Sequence, residues 1–202
     1  VSMVMRRFGN CADRSQVQVL DYGCGGGNNF WFLMREGFSA HACDIADSAL
    51  AMTRNRMIEE NITVPEDRFR RLDGERLPYP DNFFSAIIDR ESLCQSSWDE
   101  VQSWVMEFRR ILAPGGWYLG CNFSCHHPTA RDADYIGSGD WHNFRAGLFK
   151  NQGLRHLFSV NDFATLFSEW RIDSVAEQNI RTVIGANNSH DSSEYHIQVQ
   201  KK

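Results

Sequence analysis

The sequence predicts an α/β fold: a doubly wound, mostly parallel sheet with helices on both faces. Short apolar runs alternate with amphipathic stretches over most of the 202 residues, a pattern typical of strands that alternate with helices. Five such units are followed by two more strand-like runs near the C-terminus. A glycine cluster at 23–27 directly follows the first apolar run, where sheets of this kind place their ligand-binding turn.

Seven apolar runs are predicted to form the strands of the sheet. They cover 17–22, 38–44, 69–73, 83–89, 117–123, 172–176 and 195–199. Glycine, proline, asparagine or aspartate stands beside most of them, as is usual where strands end. Because ligands of such sheets bind beyond the carboxyl ends of the strands, we expect functional residues directly after the first four runs.

Capping residues and apolar spacing predict the helices. A short helix at 29–35 ends before Gly37, and Asp47 or Ser48 caps a second helix. Ser159 caps another, near the C-terminus.

The clearest helix follows the fourth strand. Ser97 and Glu100 form a capping-box pattern, and the apolar residues of 101–112 then fall on one face. The run Pro114-Gly115-Gly116 is expected to end this helix and lead into the fifth strand.

The stretch 124–157 shows no clear periodicity and is rich in His, Asp, Gly and aromatic residues. Segments of this length without structure in a compact domain are more often functional than idle, so we expect this insertion to cover the substrate. A chain of 202 residues has the size of one domain. We therefore predict a single domain over 1–202 that contains the insertion.

Charge and composition disfavour several classes of partner. The formal net charge is −5 and no long basic run is present, which disfavours nucleic acid as a partner. No apolar stretch reaches the roughly 18 residues that a membrane span needs. Six scattered cysteines indicate reduced thiols, and no signal-peptide pattern stands at the start. We expect a cytoplasmic monomer or homodimer without membrane contact.

Cys121, Cys125, His126 and His127 lie close together in the sequence, which raises the question of a metal site. The simpler interpretation is the end of a strand followed by a loop. Because no second ligand pair with zinc-like spacing accompanies them, we predict no metal site.

The glycine cluster carries the most specific signal. Asp21 and the glycines at 23, 25 and 27 give the spacing D-x-G-x-G-x-G directly after a strand. Glycine is needed where the backbone turns sharply and where a ligand approaches closely. The dinucleotide fingerprint G-x-G-x-x-G would need a glycine where Asn28 stands, and Asp21 suits a cationic ligand better than a pyrophosphate. The turn alone still leaves two cofactors open.

Several stretches in order resemble the class I S-adenosylmethionine-dependent methyltransferases, over roughly 17–123. The run 19–25 resembles the first motif of that family. In the family the backbone of this motif, here at Gly23, Cys24 and Gly25, lines the methionine part of the cofactor.

Later stretches extend the resemblance. Leu77-Pro78 and 81–84 resemble a further motif, although Ser85 stands where an aspartate is commoner, and 112–116 resembles the turn before the fifth strand. The resemblance implies a Rossmann-like sheet of seven strands in which the last strand is antiparallel. It also implies S-adenosylmethionine as the cofactor.

The resemblance implies roles for residues at the strand ends. Asp44 stands where the family accepts hydrogen bonds from both ribose hydroxyls, a task that suits a carboxylate, and Ile45 beside it is placed to pack on the adenine. Asp73 stands where the family reads the adenine amine, and Asp89 and Arg90 stand where it touches the cofactor and faces the substrate. The cofactor-binding residues predicted in this way are Asp21, Gly23, Cys24, Gly25, Asn28, Asp44, Ile45, Asp73, Gly74, Glu75, Asp89 and Arg90.

The implied reaction is an in-line displacement that moves a methyl group and leaves S-adenosylhomocysteine. Positioning provides most of the catalysis, and a general base is needed only where the acceptor must lose a proton. The insertion offers His127 and His142 as candidates for that base or for a substrate contact. Since the chain is acidic and has no separate recognition domain, we expect a small-molecule acceptor.

Two other functions stay open at this point. One is an oxidoreductase that binds a nicotinamide dinucleotide on a similar sheet, and Asn28 and the pair Asp73-Gly74 argue against it. The other is a non-catalytic interaction subunit with a degenerate methyltransferase fold. The intact glycine and acidic positions argue against this second alternative.

Overall fold

The computed structural model describes residues 1–74, 76–182 and 191–202. The strands in these ranges are β1 (Gln18–Tyr22), β2 (Ser39–Asp44), β3 (Phe69–Arg71), β4 (Phe84–Arg90), β5 (Leu112–Phe123), β6 (Asp134–Gly137), β7 (Asp140–His142), β8 (Arg155–His156), β9 (Arg171–Ile180) and β10 (Ser192–Gln200). The α-helices are α1 (Ser2–Phe8), α2 (Asn28–Arg35), α3 (Asp47–Glu59), α4 (Trp98–Ile111) and α5 (Val160–Leu166).

Seven of these strands form one sheet in the order β3-β2-β1-β4-β5-β10-β9. The first five pair in parallel, whereas β10 runs antiparallel to both β5 and β9. The predicted doubly wound sheet with an antiparallel last strand is therefore confirmed. Because the strand order reverses between β1 and β4, a crevice is expected at the carboxyl ends of these two strands.

Two hydrophobic cores cover the two faces of the sheet. Val19 of β1 belongs to the core that contains Phe30 of α2, whereas Leu20 belongs to the core that contains Phe108 of α4. Alternate residues of a strand point to opposite faces, so a strand covered on both sides is apolar throughout. Among the described residues, no helix combines the length and the apolar character that a bilayer span requires.

Helix α4 follows the prediction closely. The Ser97 N–H donates to Glu100 Oε2 at 2.7 Å, as the capping-box pattern requires. Its buried residues are Val101, Val105, Phe108 and Ile111. The apolar face that the spacing predicts is therefore the face that packs on the sheet.

Strand β5 begins at Leu112, and the prediction that it begins at 117 was wrong. Phe84 of β4 pairs with Leu112, but Ala86 already pairs with Trp117, so the residues between these partners bulge out of the ladder. Gly115 turns this bulge with a φ of +74°. The proline–glycine run therefore lies within the strand, because Leu112 before it is buried and paired.

The insertion at 124–157 contains a small antiparallel sheet in the order β6-β7-β8, so the expectation of a segment without structure was wrong. Its strands have four, three and two residues. Only β6 reaches the four residues over which alternation of apolar and polar residues can be recognised at all.

Candidate active site

A cleft of about 1030 Å³ opens at the carboxyl ends of the central parallel strands. Its walls come from the turn after β1, the ends of β2 and β3, the turn from β4 into α4, and residues 148–155 of the insertion. The predicted cofactor residues that line it are Gly23, Cys24, Gly25, Asn28, Asp44, Ile45, Asp73, Gly74 and Arg90. Asp21 and Asp89 do not line it, and the predicted residue Glu75 lies outside the described residues.

The turn after β1 needs glycine for two different reasons. At Gly23, where φ is +64°, an added Cβ would lie 2.0 Å from Ser92 Oγ, so the turn after β4 packs directly against this position. At Gly25, where φ is +52°, an added Cβ would meet no atom within 4 Å. Gly25 therefore leaves free space beside its backbone on the wall of the cleft, which suits close approach of a ligand.

Asp44 at the end of β2 holds this turn in place. Its Oδ2 accepts a hydrogen bond from the Gly25 N–H at 2.9 Å, and its Oδ1 accepts one from the Ala46 N–H, also at 2.9 Å. Thr53 of α3 donates to the Gly25 carbonyl oxygen at 3.0 Å. The carboxylate is half-buried and lines the cleft, so it connects the glycine turn to the space a ligand would fill.

Asp21 lies behind the turn, with only 1 % of its surface exposed. Its carboxylate accepts hydrogen bonds from the Phe30 N–H at 3.0 Å and from Asn29 Nδ2 at 3.2 Å. The N-cap residue of α2 makes no side-chain cap. The Asp21 carboxylate of β1 instead accepts from a backbone N–H in the first turn of the helix, where such groups have no partner within the helix. Burial raises the pKa of Asp21 to about 7. The structure thus places Asp21 where it supports the glycine turn and α2.

Asp89 also lies behind the cleft, at the end of β4. It accepts hydrogen bonds from the backbone N–H groups of Ser92 and Leu93 at 3.0 and 3.1 Å. The Tyr118 hydroxyl and Asn122 Nδ2 donate to it at 2.7 and 2.6 Å. Burial raises the pKa of Asp89 despite these bonds. Its four donors shape the turn that carries Arg90 and the residues after it into the cleft.

The ends of β2 and β3 form an apolar and acidic corner of the cleft. Ile45 lines the cleft and is 73 % exposed, so a ligand bound there can cover its side chain. Asp73 and Gly74 face the same cleft from the end of β3. Asn28, on the other side of the glycine turn, lines the cleft while its Oδ1 accepts a hydrogen bond from Arg56.

Residues 19–116 match the methyltransferase domain family. The match runs from β1 into β5 and contains the glycine turn, Asp44, Asp73 and the turn after β4. Over these residues the chain is similar to the methyltransferase domain family.

Curated relatives match part of this chain. The demethylmenaquinone methyltransferase of Tropheryma whipplei is 34 % identical over 112 residues, which cover 55 % of this chain and 43 % of that protein. The ubiquinone/menaquinone biosynthesis C-methyltransferase of Azotobacter vinelandii is 33 % identical over 110 residues, 53 % of this chain and 42 % of that protein. The chain thus spans less than half the length of these relatives.

Solved structures share the fold over nearly the whole chain. A S-adenosylmethionine-dependent methyltransferase from Methanosarcina mazei superposes with a TM-score of 0.72 at 18 % identity, covering 91 % of this chain and 92 % of that one. The cyclase SpnF superposes with a TM-score of 0.68 at 20 % identity, covering 99 % and 79 %. At these identities the similarity shows the fold alone.

The fold does not bring the two predicted histidines into the cleft. His127 is 1 % exposed, with its ring centroid 5.1 Å from that of Phe123 and 4.8 Å from that of Phe149, and its Nδ1 lies 2.6 Å from Thr129 Oγ1. Burial lowers the pKa of His127 to about 4. His142 is exposed on β7 and does not line the cleft.

Several cleft residues were missed at the level of sequence. The insertion contributes Phe149, Gln152 and Arg155, and helix α4 contributes Glu100 and Trp104. The apolar pair at 148–149 within a polar insertion was the one local signal of a surface that faces another part of the protein. The others depend on how the insertion packs beside α4, which no local pattern specifies.

The sequence cluster considered as a metal site disperses in the structure. His126 Nδ1 lies 2.7 Å from Glu177 Oε1, and His127 is buried between aromatic rings. Cys125 is half-buried, while Cys121 faces β10. These four side chains therefore do not form one ligand set.

Proposed function

We propose that this protein is a methyltransferase that binds S-adenosylmethionine in the cleft and transfers its methyl group to a small-molecule acceptor. The observation that carries the proposal is the corner formed by Gly25 and Asp44. There an open glycine backbone is hydrogen-bonded to a carboxylate that faces the same cleft. The family match over 19–116 supports this assignment.

The residues at this corner fit the cofactor. Each oxygen of Asp44 accepts one backbone N–H, and a carboxylate oxygen has a second lone pair. Asp44 can therefore hold the turn and still accept from the two ribose hydroxyls. We assign Ile45 to the face of the adenine and Asp73 to its exocyclic amine.

The bound cofactor would supply an activated methyl group on a sulfonium, and the chain has to position the acceptor in line with it. In good cases such positioning lowers a barrier by roughly 7–11 kcal/mol. The glycine turn is fixed by Asp44 and Thr53, and we assign Asp21 a positioning role because its carboxylate holds the start of α2 directly after the turn.

We assign any proton transfer to Glu91 rather than to His127 or His142. Glu91 lines the cleft directly after β4 and its side chain is half-buried. Burial, followed by the nearby Glu194, raises the pKa of Glu91. A carboxylate with a raised pKa is a better general base near neutral pH.

We assign the acceptor to the side of the cleft formed by the insertion and α4. Trp104 provides aromatic surface there, with the buried Phe149 behind the wall, while Gln152 and Arg155 provide donors. Arg155 Nη2 donates to Gln152 Oε1 at 2.5 Å, and Arg155 takes part in no ion pair within the described part of the chain. This combination suits a small molecule with an apolar body and an acidic or carbonyl group.

Transfer of a radiolabelled methyl group to a panel of small acceptors, among them quinols, carboxylic acids and amines, tests the proposal. We expect at least one acceptor to be labelled by the full chain. Asp44→Ala should lower kcat/KM at limiting cofactor by at least tenfold, because the ribose loses an acceptor and the turn loses a bond. Asp67→Ala, at an exposed site away from the cleft, is the matched control and should change it little. Cofactor binding without labelling of any acceptor would instead support a non-catalytic interaction subunit.

A further inference from the structure

Three metal-ligating side chains converge on the strand pair β5–β10, outside the set of residues that line the cleft. Cys121 of β5 lies directly opposite His196 of β10, and Glu194 precedes His196 by two residues on the same face of β10. Cys121 Sγ is 3.1 Å from Glu194 Oε2 and 3.9 Å from His196 Nε2. The three ligand atoms all lie within 4.8 Å of one another.

These separations are those of a small tetrahedral metal site. Zinc bonds of about 2.3 Å to sulfur and about 2.0–2.1 Å to nitrogen or oxygen place neighbouring ligand atoms about 3.6 Å apart. The two measured separations from Cys121 Sγ lie on either side of this value. On binding, each of these two separations would therefore change by only a few tenths of an ångström.

The strand pairing holds the ligands in place before any ion binds. The β5–β10 ladder continues without a register shift from the Trp117–Gln200 pair to the Phe123–Glu194 pair. Cys121 is only 8 % exposed, within the ladder. Since the sheet already fixes the backbone at these positions, binding of a metal ion would order few additional groups and so would cost little conformational entropy.

The charges at this site also favour a dication. A thiolate at Cys121 and the carboxylate of Glu194 together balance two positive charges, and a neutral imidazole completes the set. Sulfur and imidazole donors select zinc and related transition metals over magnesium and calcium. Glu91 lies next to this site, since its backbone N–H donates to the Cys121 carbonyl oxygen at 2.8 Å.

We propose that the β5–β10 pair binds one divalent transition-metal ion, zinc by the chemistry of its donors, through Cys121 Sγ, His196 Nε2 and a carboxylate oxygen of Glu194. On binding, the Cys121 thiol gives up its proton to solvent and the sulfur bonds the metal. Three protein ligands leave a fourth position for water. The ion would connect β5 to β10 beside the cleft wall, because Cys121 pairs with Arg90 of β4. This site does not depend on the proposed methyl transfer.

Titration of the chelator-treated full chain with cobalt(II) tests the site. We expect one equivalent to produce a thiolate-to-cobalt charge-transfer band and the visible bands of a tetrahedral complex, and one equivalent of zinc to abolish both. Cys121→Ser should remove the charge-transfer band, and His196→Ala and Glu194→Gln should weaken cobalt binding by at least tenfold. Cys125→Ser and Cys11→Ser keep the three ligands and should titrate like the parent.

Thermal unfolding is a second measurement that does not rely on the spectrum. Stoichiometric zinc should raise the unfolding temperature of the parent, since a ligand that binds only the folded state stabilises it, and should leave that of Glu194→Gln largely unchanged. Absence of a cobalt spectrum in the parent would overturn the proposal and leave the group as a plain thiol–carboxylate hydrogen bond. A spectrum that survives Cys121→Ser but disappears in Cys125→Ser would overturn it as well.

Discussion

At the scale of single residues, the proposed cofactor site depends on Asp44 and on Gly25 of the glycine turn. Asp44 fixes the Gly25 N–H and lines the cleft with the same carboxylate. Gly25 exposes backbone where any other residue would add a side chain. Asp44 thus sets the shape of the turn, and Gly25 keeps it open.

Gly25→Ala tests this pairing, with Gly37→Ala as its matched control. Both glycines have positive φ, +52° and +81°, and neither would bring an added Cβ within 4 Å of another atom. Left-handed backbone costs an alanine roughly 1–2 kcal/mol, so chemical denaturation should show a similar loss of stability for both variants. Only Gly25→Ala should also weaken binding of S-adenosylhomocysteine, by at least tenfold in calorimetry. Equal binding by the two variants would contradict the placement of the ligand.

Asp21 predicts a specific dependence of stability on pH. Its pKa is raised to about 7 by burial, against about 3.9 for an unfolded aspartate. The folded state therefore holds a proton that the unfolded state has lost, and this contribution to stability falls between about pH 4 and pH 7. It is fully present below pH 4 and is lost once the pH has risen through 7.

Asp21→Asn should remove that dependence while keeping an acceptor for the Phe30 N–H. As the pH rises from 4 to 7, the free energy of unfolding of the variant should increase relative to that of the parent. Above pH 7 the difference between the two should stay constant. Urea denaturation at a series of pH values measures the difference, in which the other ionisable groups cancel. A difference that does not change with pH would show that the Asp21 pKa is not raised.

At the scale of elements, the insertion is fastened to the start of α4. Both oxygens of Asp140 accept from the Trp98 N–H, at 3.1 and 3.0 Å, so a residue of β7 caps the helix. His156 Nδ1 lies 2.7 Å from Asp140 Oδ1, and its ring stacks on Trp98 with centroids 5.1 Å apart. The cleft residues of the insertion and of α4 are therefore held by one buried contact.

Loss of this cap should be measurable. Asp140→Ala should lower the free energy of unfolding by about 1 kcal/mol or more, since a lost N-cap alone costs about that much and His156 loses its partner. Asp134→Ala removes an exposed carboxylate of the same small sheet, which pairs with Arg145, and should change stability little. Equal effects of the two substitutions in urea denaturation would contradict the account of the cap.

The elements also show what could be predicted from sequence and what could not. The central strands and α4 were predictable because apolar runs, glycines and the Ser97–Glu100 box are local signals. The turn at Pro114 to Gly116 misled the prediction of β5, because a bulge and a strand start share the same residue types. Other features depend on contacts between distant segments of the chain. These are the positions of Phe149 and Arg155 in the cleft wall and the pairing of Cys121 with His196.

At the scale of the whole molecule, the strand order decides where the proposed chemistry takes place. The sheet reverses its order between β1 and β4, and the cleft opens at that point with the conserved geometry of doubly wound folds. The similarity to SpnF, a cyclase, and to a methyltransferase of Methanosarcina mazei shows that this fold accommodates different chemistries. The assignment of methyl transfer therefore depends on the cleft residues together with the family match.

The identity of the cofactor is the central claim, and calorimetric titration of the full chain with S-adenosylmethionine and, separately, with NADH tests it most directly. We expect one equivalent of S-adenosylmethionine to bind in the micromolar range and NADH to give no binding heat, because Asn28 replaces the last glycine of a dinucleotide turn. Binding of NADH in place of S-adenosylmethionine, or binding of neither, would contradict the account.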